Sequence, residues 1–146
     1  MFWSASSVCH LRPLEILENK VIKIIMHLPR LTPTLQLYNE QILPVVVLGD
    51  LDLLIFIYKA TNNLTKCNFS FYRTNVVHGY NTRFNQNFYI SSLRTERDCK
   101  NVFHRGLVLF NKLPDEIKRE SRIGHFKTAV RNFLYDQWRH KLMRTL

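Results

Sequence analysis

From Ile42 to Tyr58 the chain is apolar at almost every position, and this run restricts what the rest can fold into. Leu48, Leu51, Ile55 and Tyr58 recur at helical spacing, while Leu53, Leu54, Phe56 and Ile57 fill the other sides of the same axis. A helix apolar all round has to be buried all round. A membrane span needs about 20 apolar residues with few or no charges, and this run is interrupted by Pro44, Gly49, Asp50 and Asp52. The expectation is a buried helix over Val45 to about Asn62, running through the middle of a domain or covered on one side by further protein. A second arrangement suits the same residues: a short strand Val45-Val46-Val47-Leu48, then a helix from Leu51 capped by Asp50. Short apolar runs do not separate the two by periodicity alone.

The rest of the chain supplies what could cover such a helix. Pro13 suits a first helical position, and Leu14, Leu17, Val21, Ile24, Ile25 and Leu28 then recur at helical spacing up to Pro29. On the other side of that helix Lys20, Lys23 and His27 make a basic line, either a phosphate contact or an ordinary solvated face. Thr32-Pro33 predicts a capped short helix over 33–41, closed by Leu43-Pro44 and anchored by Leu35, Leu37 and Tyr38. Helical periodicity is absent from 63–102, where His78-Gly79-Tyr80-Asn81-Thr82-Arg83 reads as a turn and Asn87–Leu93 has strand propensity with poor alternation. Ser121 is placed to cap a last helix carrying Ile123, Phe126, Val130, Phe133, Leu134 and Trp138, with Lys127, Arg131 and Arg139 off its apolar stripe.

The fold class expected is therefore mainly α, with about four to five helices and an irregular excursion at roughly 64–102 that has room for one hairpin. A length of 146 residues suits one domain, 1–146. Within it a helical half spans 1–62, an extended basic and aromatic excursion 63–102, and a turn with the last amphipathic helix 103–146.

Charge is distributed unevenly. The net +10 divides into +2 over residues 1–73, from 7 basic and 5 acidic groups, and +8 over 74–146, from 14 and 6. A basic half of this density favours phosphate backbones and anionic surfaces. In the excursion, Tyr80, Phe84, Phe88 and Tyr89 interleave with Arg83, Arg94, Arg97 and Lys100, the composition of a surface where bases stack while cations meet phosphates. Aromatic residues in a loop also serve to pin it to a core. Cys9, Cys67 and Cys99 are odd in number and far apart, which fits a reducing compartment rather than a disulfide framework, and Cys99 with His104 lacks a second ligand pair for zinc. The first residues carry no basic segment followed by an apolar core, so an intracellular location, nucleus or cytoplasm, is expected rather than secretion.

A search for chemistry finds no catalytic residue. There is no Asp-Asp pair, and Asp50-x-Asp52 on a helix would point its carboxylates about 200° apart, too divergent to share a metal. Asp115-Glu116 after Pro114 suits a helix N-terminus. With 4 Gly in the chain there is no phosphate-cradling loop, and no nucleophile signature is present.

The stretch from Phe103 to Ile117 is punctuation and packing: a glycine-broken start at Gly106, an apolar turn with Leu107, Leu109 and Phe110, and a stop at Leu113-Pro114. It is similar to a Gly-x-x-Leu-Phe-Asn-x-Leu-Pro-x-Glu-Ile motif found after the polymerase core of non-LTR retrotransposon reverse transcriptases, the jockey-like, LINE-type group. Leu14–Ile25 with the exit Leu28–Thr34 resembles the same region, as do Leu43-Pro44-Val45, Phe56-Ile57-Tyr58-Lys59, His78–Arg83, Arg94-Thr95 and the closing Phe126-Lys127 and Phe133-Leu134, all in the family's order. Trp3-Ser4 looks like the family's Trp-Gly before helix one, and Glu18 stands where the family usually has Gln.

This resemblance implies the C-terminal, non-catalytic segment of an RNA-directed DNA polymerase, whose fingers, palm and aromatic-x-Asp-Asp hairpin would lie upstream of Met1. Mg would belong to that polymerase core, with no cofactor and no metal ligand in this segment. The implied partners are RNA or DNA, as element transcript and target DNA, and the upstream polymerase region, without membrane or small-molecule substrate. The candidate nucleic-acid contacts are Lys20, Lys23, Tyr80, Arg83, Arg94, Arg97, Lys100, Arg105, Lys127 and Arg131. The alternatives are a module that packs the first helix and the helix over Val45 to about Asn62 on the polymerase thumb, with Leu51, Leu54 or Phe56 among the contacts, or a domesticated basic helical binding protein.

Overall fold

The structure is a computed structural model that describes residues 8–38, 42–67, 69–78, 86–92 and 101–144. Helices α1 (Val8–Ile25), α2 (Val45–Thr61), α3 (Thr74–His78), α4 (Val102–Asn111), α5 (Asp115–Lys118) and α6 (Ile123–Met143) follow in order, with a 3-10 turn at Thr34–Gln36. The chain is mainly helical, and no strand occurs among the described residues.

The apolar run forms α2 and takes the central place. Leu53, Leu54, Ile57 and Tyr58 are buried, and α4, α6 and α1 all pack against this helix. Helix begins directly at Val45, so the strand alternative for Val45–Leu48 is excluded. Pro44 at the N-cap has no side-chain oxygen to offer, and the Val45 amide donates instead to Glu18 Oε2 on α1 at 2.9 Å. A tertiary carboxylate thus satisfies an orphan amide at the positive end of the helix dipole.

Gly106 does not break α4. It lies inside the helix where α4 crosses α2, and a Cβ there would lie 2.6 Å from Ile57 Cγ1. Glycine serves close approach here rather than a turn. On the other side of α2, the Tyr58 and Phe126 rings stack at 4.1 Å, and the Tyr58 hydroxyl reaches the carbonyls of Glu120 and Ser121 at 2.9 and 2.8 Å. Those bonds hold Ser121 as an acceptor in the approach to α6, whose N-cap is Arg122, so Ser121 does not cap the helix as expected. Phe126, Val130, Leu134 and Tyr135 are buried along α6, with Ile123, Phe133 and Trp138 half-buried beside them.

Helix α1 departs most from expectation. It starts at Val8, so Pro13 lies within it rather than at its first position. The residues that dock it are Leu11 and Ile22, assisted by Glu18 and Asn19, which both accept from the buried Tyr38 hydroxyl at 3.1 and 2.7 Å. Leu14, Leu17, Val21, Ile24 and Ile25 face outward, Ile24 with 72% of its surface exposed. Of the expected stripe, only Leu28 packs, half-buried, against the cluster of Ile22, Leu37 and Tyr38.

The helix expected over 33–41 shrinks to the turn Thr34–Gln36, and residues 39–41 lie outside the described residues. Thr32 Oγ1 donates to Pro29 O at 2.7 Å, closing a turn instead of capping a helix. Leu37 and Tyr38 are the buried anchors, and the Leu35 side chain lies outside the described residues. Both α1 and α2 end the same way. His27 (φ 50) and Asn63 (φ 56) are left-handed, and the next amide reaches back to Lys23 O and Lys59 O at 2.9 and 2.8 Å, the Schellman closure.

Among its described residues the excursion holds α3, which the absence of periodicity did not suggest, and one isolated antiparallel bridge between Arg73 and Phe88. The cluster Gly79–Arg83 lies outside the described residues.

Candidate functional site

The stretch Phe103–Ile117 assembles the neighbourhood of the excursion. Asn101 Oδ1 caps α4 by accepting from the Phe103 amide at 2.9 Å. At the other end, the Asn111 side chain pairs with Phe88 on both sides: the Phe88 amide donates to Oδ1 at 2.9 Å, and Nδ2 donates to Phe88 O at 2.8 Å. A side-chain amide thereby replaces the missing neighbour strand, which meets the demand that buried backbone groups be paired. Lys118 Nζ then ties Asn87 Oδ1 and Asn111 O together at 3.1 and 3.0 Å, with Asp115 Oδ1 at 3.4 Å. Neither the Asn111 clamp nor this lysine was singled out from the sequence, because an Asn after an apolar turn is indistinguishable from a helix stop.

Asp50 and Arg105 join α2 to α4 at 2.6 Å. Burial pushes the Asp50 carboxyl above its ordinary range, and the attraction of Arg105 and Lys112 offsets this only in part. Desolvation therefore outweighs the ion pair here, as is common for partly buried charges. Asp52 is exposed and lies away from this pair, so the two carboxylates do not converge. No group of three His, Cys, Asp or Glu side chains able to hold a metal occurs among the described residues. Tyr38 is held far above the usual phenol range, first by burial, then by the charge and hydrogen bond of Glu18 and by the charge of Glu15.

The candidate cations are spread over three helices. Lys20 is exposed on α1, and Lys23 is half-buried with its Nζ on Arg30 O at 2.7 Å. Arg105 is engaged by Asp50. Lys127 is exposed on α6, and Arg131 is half-buried one turn further on. Tyr80, Arg83, Arg94, Arg97 and Lys100 lie outside the described residues, as does Cys99. The described candidates thus form two one-turn pairs, Lys20 with Lys23 and Lys127 with Arg131, and a separate Arg105, each on a different helix.

Aromatic rings gather instead between the excursion and α4. Phe69 and Phe103 stack at 4.5 Å, Phe71 meets Phe88 at 6.0 Å, and the Arg73 guanidinium lies 5.2 Å from the Phe88 ring centre. Such an array can stack planar groups and attract anions.

The sequence and structural comparisons return no match for this chain: no family model, no curated protein and no solved structure is significantly similar to it. No helix among the described residues is long and apolar enough to cross a membrane.

Proposed function

We propose that this chain is the post-polymerase, C-terminal segment of a retrotransposon RNA-directed DNA polymerase of the non-LTR, LINE-type group. In the intact enzyme it acts as a catalytically silent accessory surface for element RNA or target DNA. The observation that carries this reading is the order of the motifs along nearly the whole chain, from Leu14–Thr34 through Phe103–Ile117 to Phe133-Leu134. The charge of +8 on residues 74–146 supports the choice of nucleic acid as ligand. Helix α6 alone carries Lys127, Arg131, Arg139 and Lys141 against Asp136.

The test is binding of single-stranded RNA by the full chain across a salt series. Affinity should fall steeply as salt rises, because cations that meet phosphates release counterions. A flat salt response, or no binding at low salt, overturns the nucleic-acid reading.

One observation favours a second role, packing on the upstream polymerase region. The outward face of α1 is apolar, whereas Leu54 is buried, and Leu51 and Phe56 pack half-buried against the core of this chain. The contact surface for such a role is therefore α1, one of the two helices expected for it, rather than Leu51, Leu54 and Phe56 of α2. A separately produced polymerase core should bind the chain and lose it on Leu17→Asp or Ile24→Asp. Undiminished binding by both variants removes this reading.

A further inference from the structure

Two cavities open side by side along Phe69-Ser70-Phe71, and their walls differ in chemistry. The first, about 510 Å³, is walled by Phe69, Phe71, Tyr72, Tyr89 and Phe103, with Ser70, Ser91 and Asn101 among its polar groups. This volume lies within the range of small-ligand sites, which are mostly apolar with a few polar groups that fix orientation. The second, about 430 Å³, is lined by Thr61, Asn62, Asn63, Thr65, Arg73 and Lys118, among others. Phe69, Ser70 and Phe71 border both. An aromatic chamber thus adjoins a polar one that holds a guanidinium.

Phe71 and Phe103 pack against the core, whereas Tyr72, Tyr89 and one side of Phe69 are presented to solvent. Tyr72 is 57% exposed and Phe69 43%, while Phe88 behind them is buried. The bridge register explains the division. Arg73 opposes Phe88, so Tyr72 opposes Tyr89, and the Tyr89 amide donates to Tyr72 O at 2.8 Å. Alternation along an extended segment then puts the two tyrosines on the face opposite Phe88. His104 lines the same cavity, and its Nδ1 is buried with no hydrogen-bond partner among the described residues. A buried polar atom without a partner is uncommon and needs an explanation.

In the polar cavity the two cations differ. Lys118 directs its ammonium to Asn87, Asn111 and Asp115. Arg73 gives Nη1 to Gln86 O and stacks on Phe88, and a guanidinium has five N–H donors, so it retains donor capacity for an anion.

We infer that the aromatic cavity takes one unstacked base of a single-stranded nucleic acid, while the adjoining phosphate meets Arg73 across the Ser70 ridge. This rests on the nucleic-acid reading above and assigns it a site outside the candidate cations named from the sequence. Stacking on aromatic side chains accepts any base, because every base has a π-face.

The test uses the full chain with two probes at low salt: a short oligouridine, and an abasic strand of the same length and phosphate number. The intact strand should bind about tenfold more tightly than the abasic one. Tyr72→Ala and Phe69→Ala should each bring that ratio down to about twofold, with folding checked by circular dichroism. Arg73→Gln should weaken both strands alike and lower the salt slope by about one. Equal binding of the two strands, or an unchanged ratio in folded Tyr72→Ala, overturns the base pocket and leaves the accessory-surface reading intact. Failure of both strands to bind overturns that reading too.

Discussion

In α2 Leu53, Leu54 and Ile57 leave solvent almost completely, with Leu51 and Ile55 half-buried and Leu48 at the exposed edge, whereas in α1 Leu14, Leu17, Val21, Ile24 and Ile25 stay on the outside. Both helices are rich in branched apolar residues. What separates them is the second surface. α2 has neighbours on several sides, so nearly any apolar position on it finds a partner. α1 touches the domain along one narrow line, and that line is held as much by Glu18 and Asn19 as by Leu11 and Ile22. Full burial of a side chain of this size contributes about 1.5–3 kcal/mol. The outward row of α1 leaves that contribution unused in this chain, and the inward row replaces part of it with hydrogen bonds.

The sharpest way to test the central role of α2 is to remove what α6 presses against it. Phe126 is fully buried and stacks on Tyr58, so Phe126→Ala should lower stability by about 3–5 kcal/mol, read as a shift in the urea midpoint. Domains of this kind are stable by only about 5–15 kcal/mol, so a fraction of the variant should unfold without denaturant. A loss below about 1 kcal/mol would mean that α6 does not close the core. Gly106→Ala comes next. Alanine gains about 1 kcal/mol of helix propensity over glycine, but its Cβ would overlap Ile57, and overpacking costs about 1–3 kcal/mol. A net loss of about 1 kcal/mol is expected, and a net gain would show that α2 and α4 can move apart.

The attachment of α1 is tested by its polar line. Glu18→Ala removes an acceptor from the Tyr38 hydroxyl and the cap from Val45, a change of about 1 kcal/mol in thermal unfolding. Glu18→Gln keeps a side-chain oxygen for the Val45 amide and should lose clearly less. Equal losses in the two variants would assign the effect to charge at the start of α2 rather than to the hydrogen bond.

These contrasts also explain what was legible in the sequence. The central helix was, because a segment apolar on all sides has only one stable place in a small domain. The α1 stripe was legible as a stripe, but periodicity reports that a face exists and not which way it turns. Docking through Glu18 and Asn19 had no pattern to read, since each bond joins residues about 19 to 27 positions apart. Gly106 was read as a break because glycine weakens helices, and its use in close packing depends on Ile57 in another element. At the candidate site, Phe88 and Tyr89 were legible as part of an aromatic run, whereas Phe69, Phe71, Tyr72 and Arg73 were not singled out. The cavity walls were not legible, because Tyr72, Tyr89 and Phe103 are brought together by one bridge and the Asn111 clamp.

A smaller effect distinguishes the ion pair that joins α2 to α4. Burial holds Asp50 above its ordinary value of 3.8, so the folded chain takes up this proton before the unfolded chain does. On acidification, stability is therefore gained from this group, through a window that opens at the raised folded value and closes at the ordinary one. The unfolding temperature of the wild type should rise relative to Asp50→Asn as pH falls through that window. The opposite slope would place the attraction of Arg105 above desolvation.

The smallest expected change bears most directly on the difference between the two helices. Leu17→Glu and Ile24→Glu replace apolar side chains on the outward face of α1, where this domain supplies no covering surface. Substitutions away from packed features move stability by about 0.5 kcal/mol or less, so the urea midpoint of the purified chain should stay close to that of the wild type. Light scattering should meanwhile show less self-association, because a contiguous apolar patch on the surface has been interrupted. If either variant unfolded the chain, the outward row would be core after all, and α1 would resemble α2. If stability held while binding to a polymerase core were lost, the same residues would be an interface whose other half lies outside this chain.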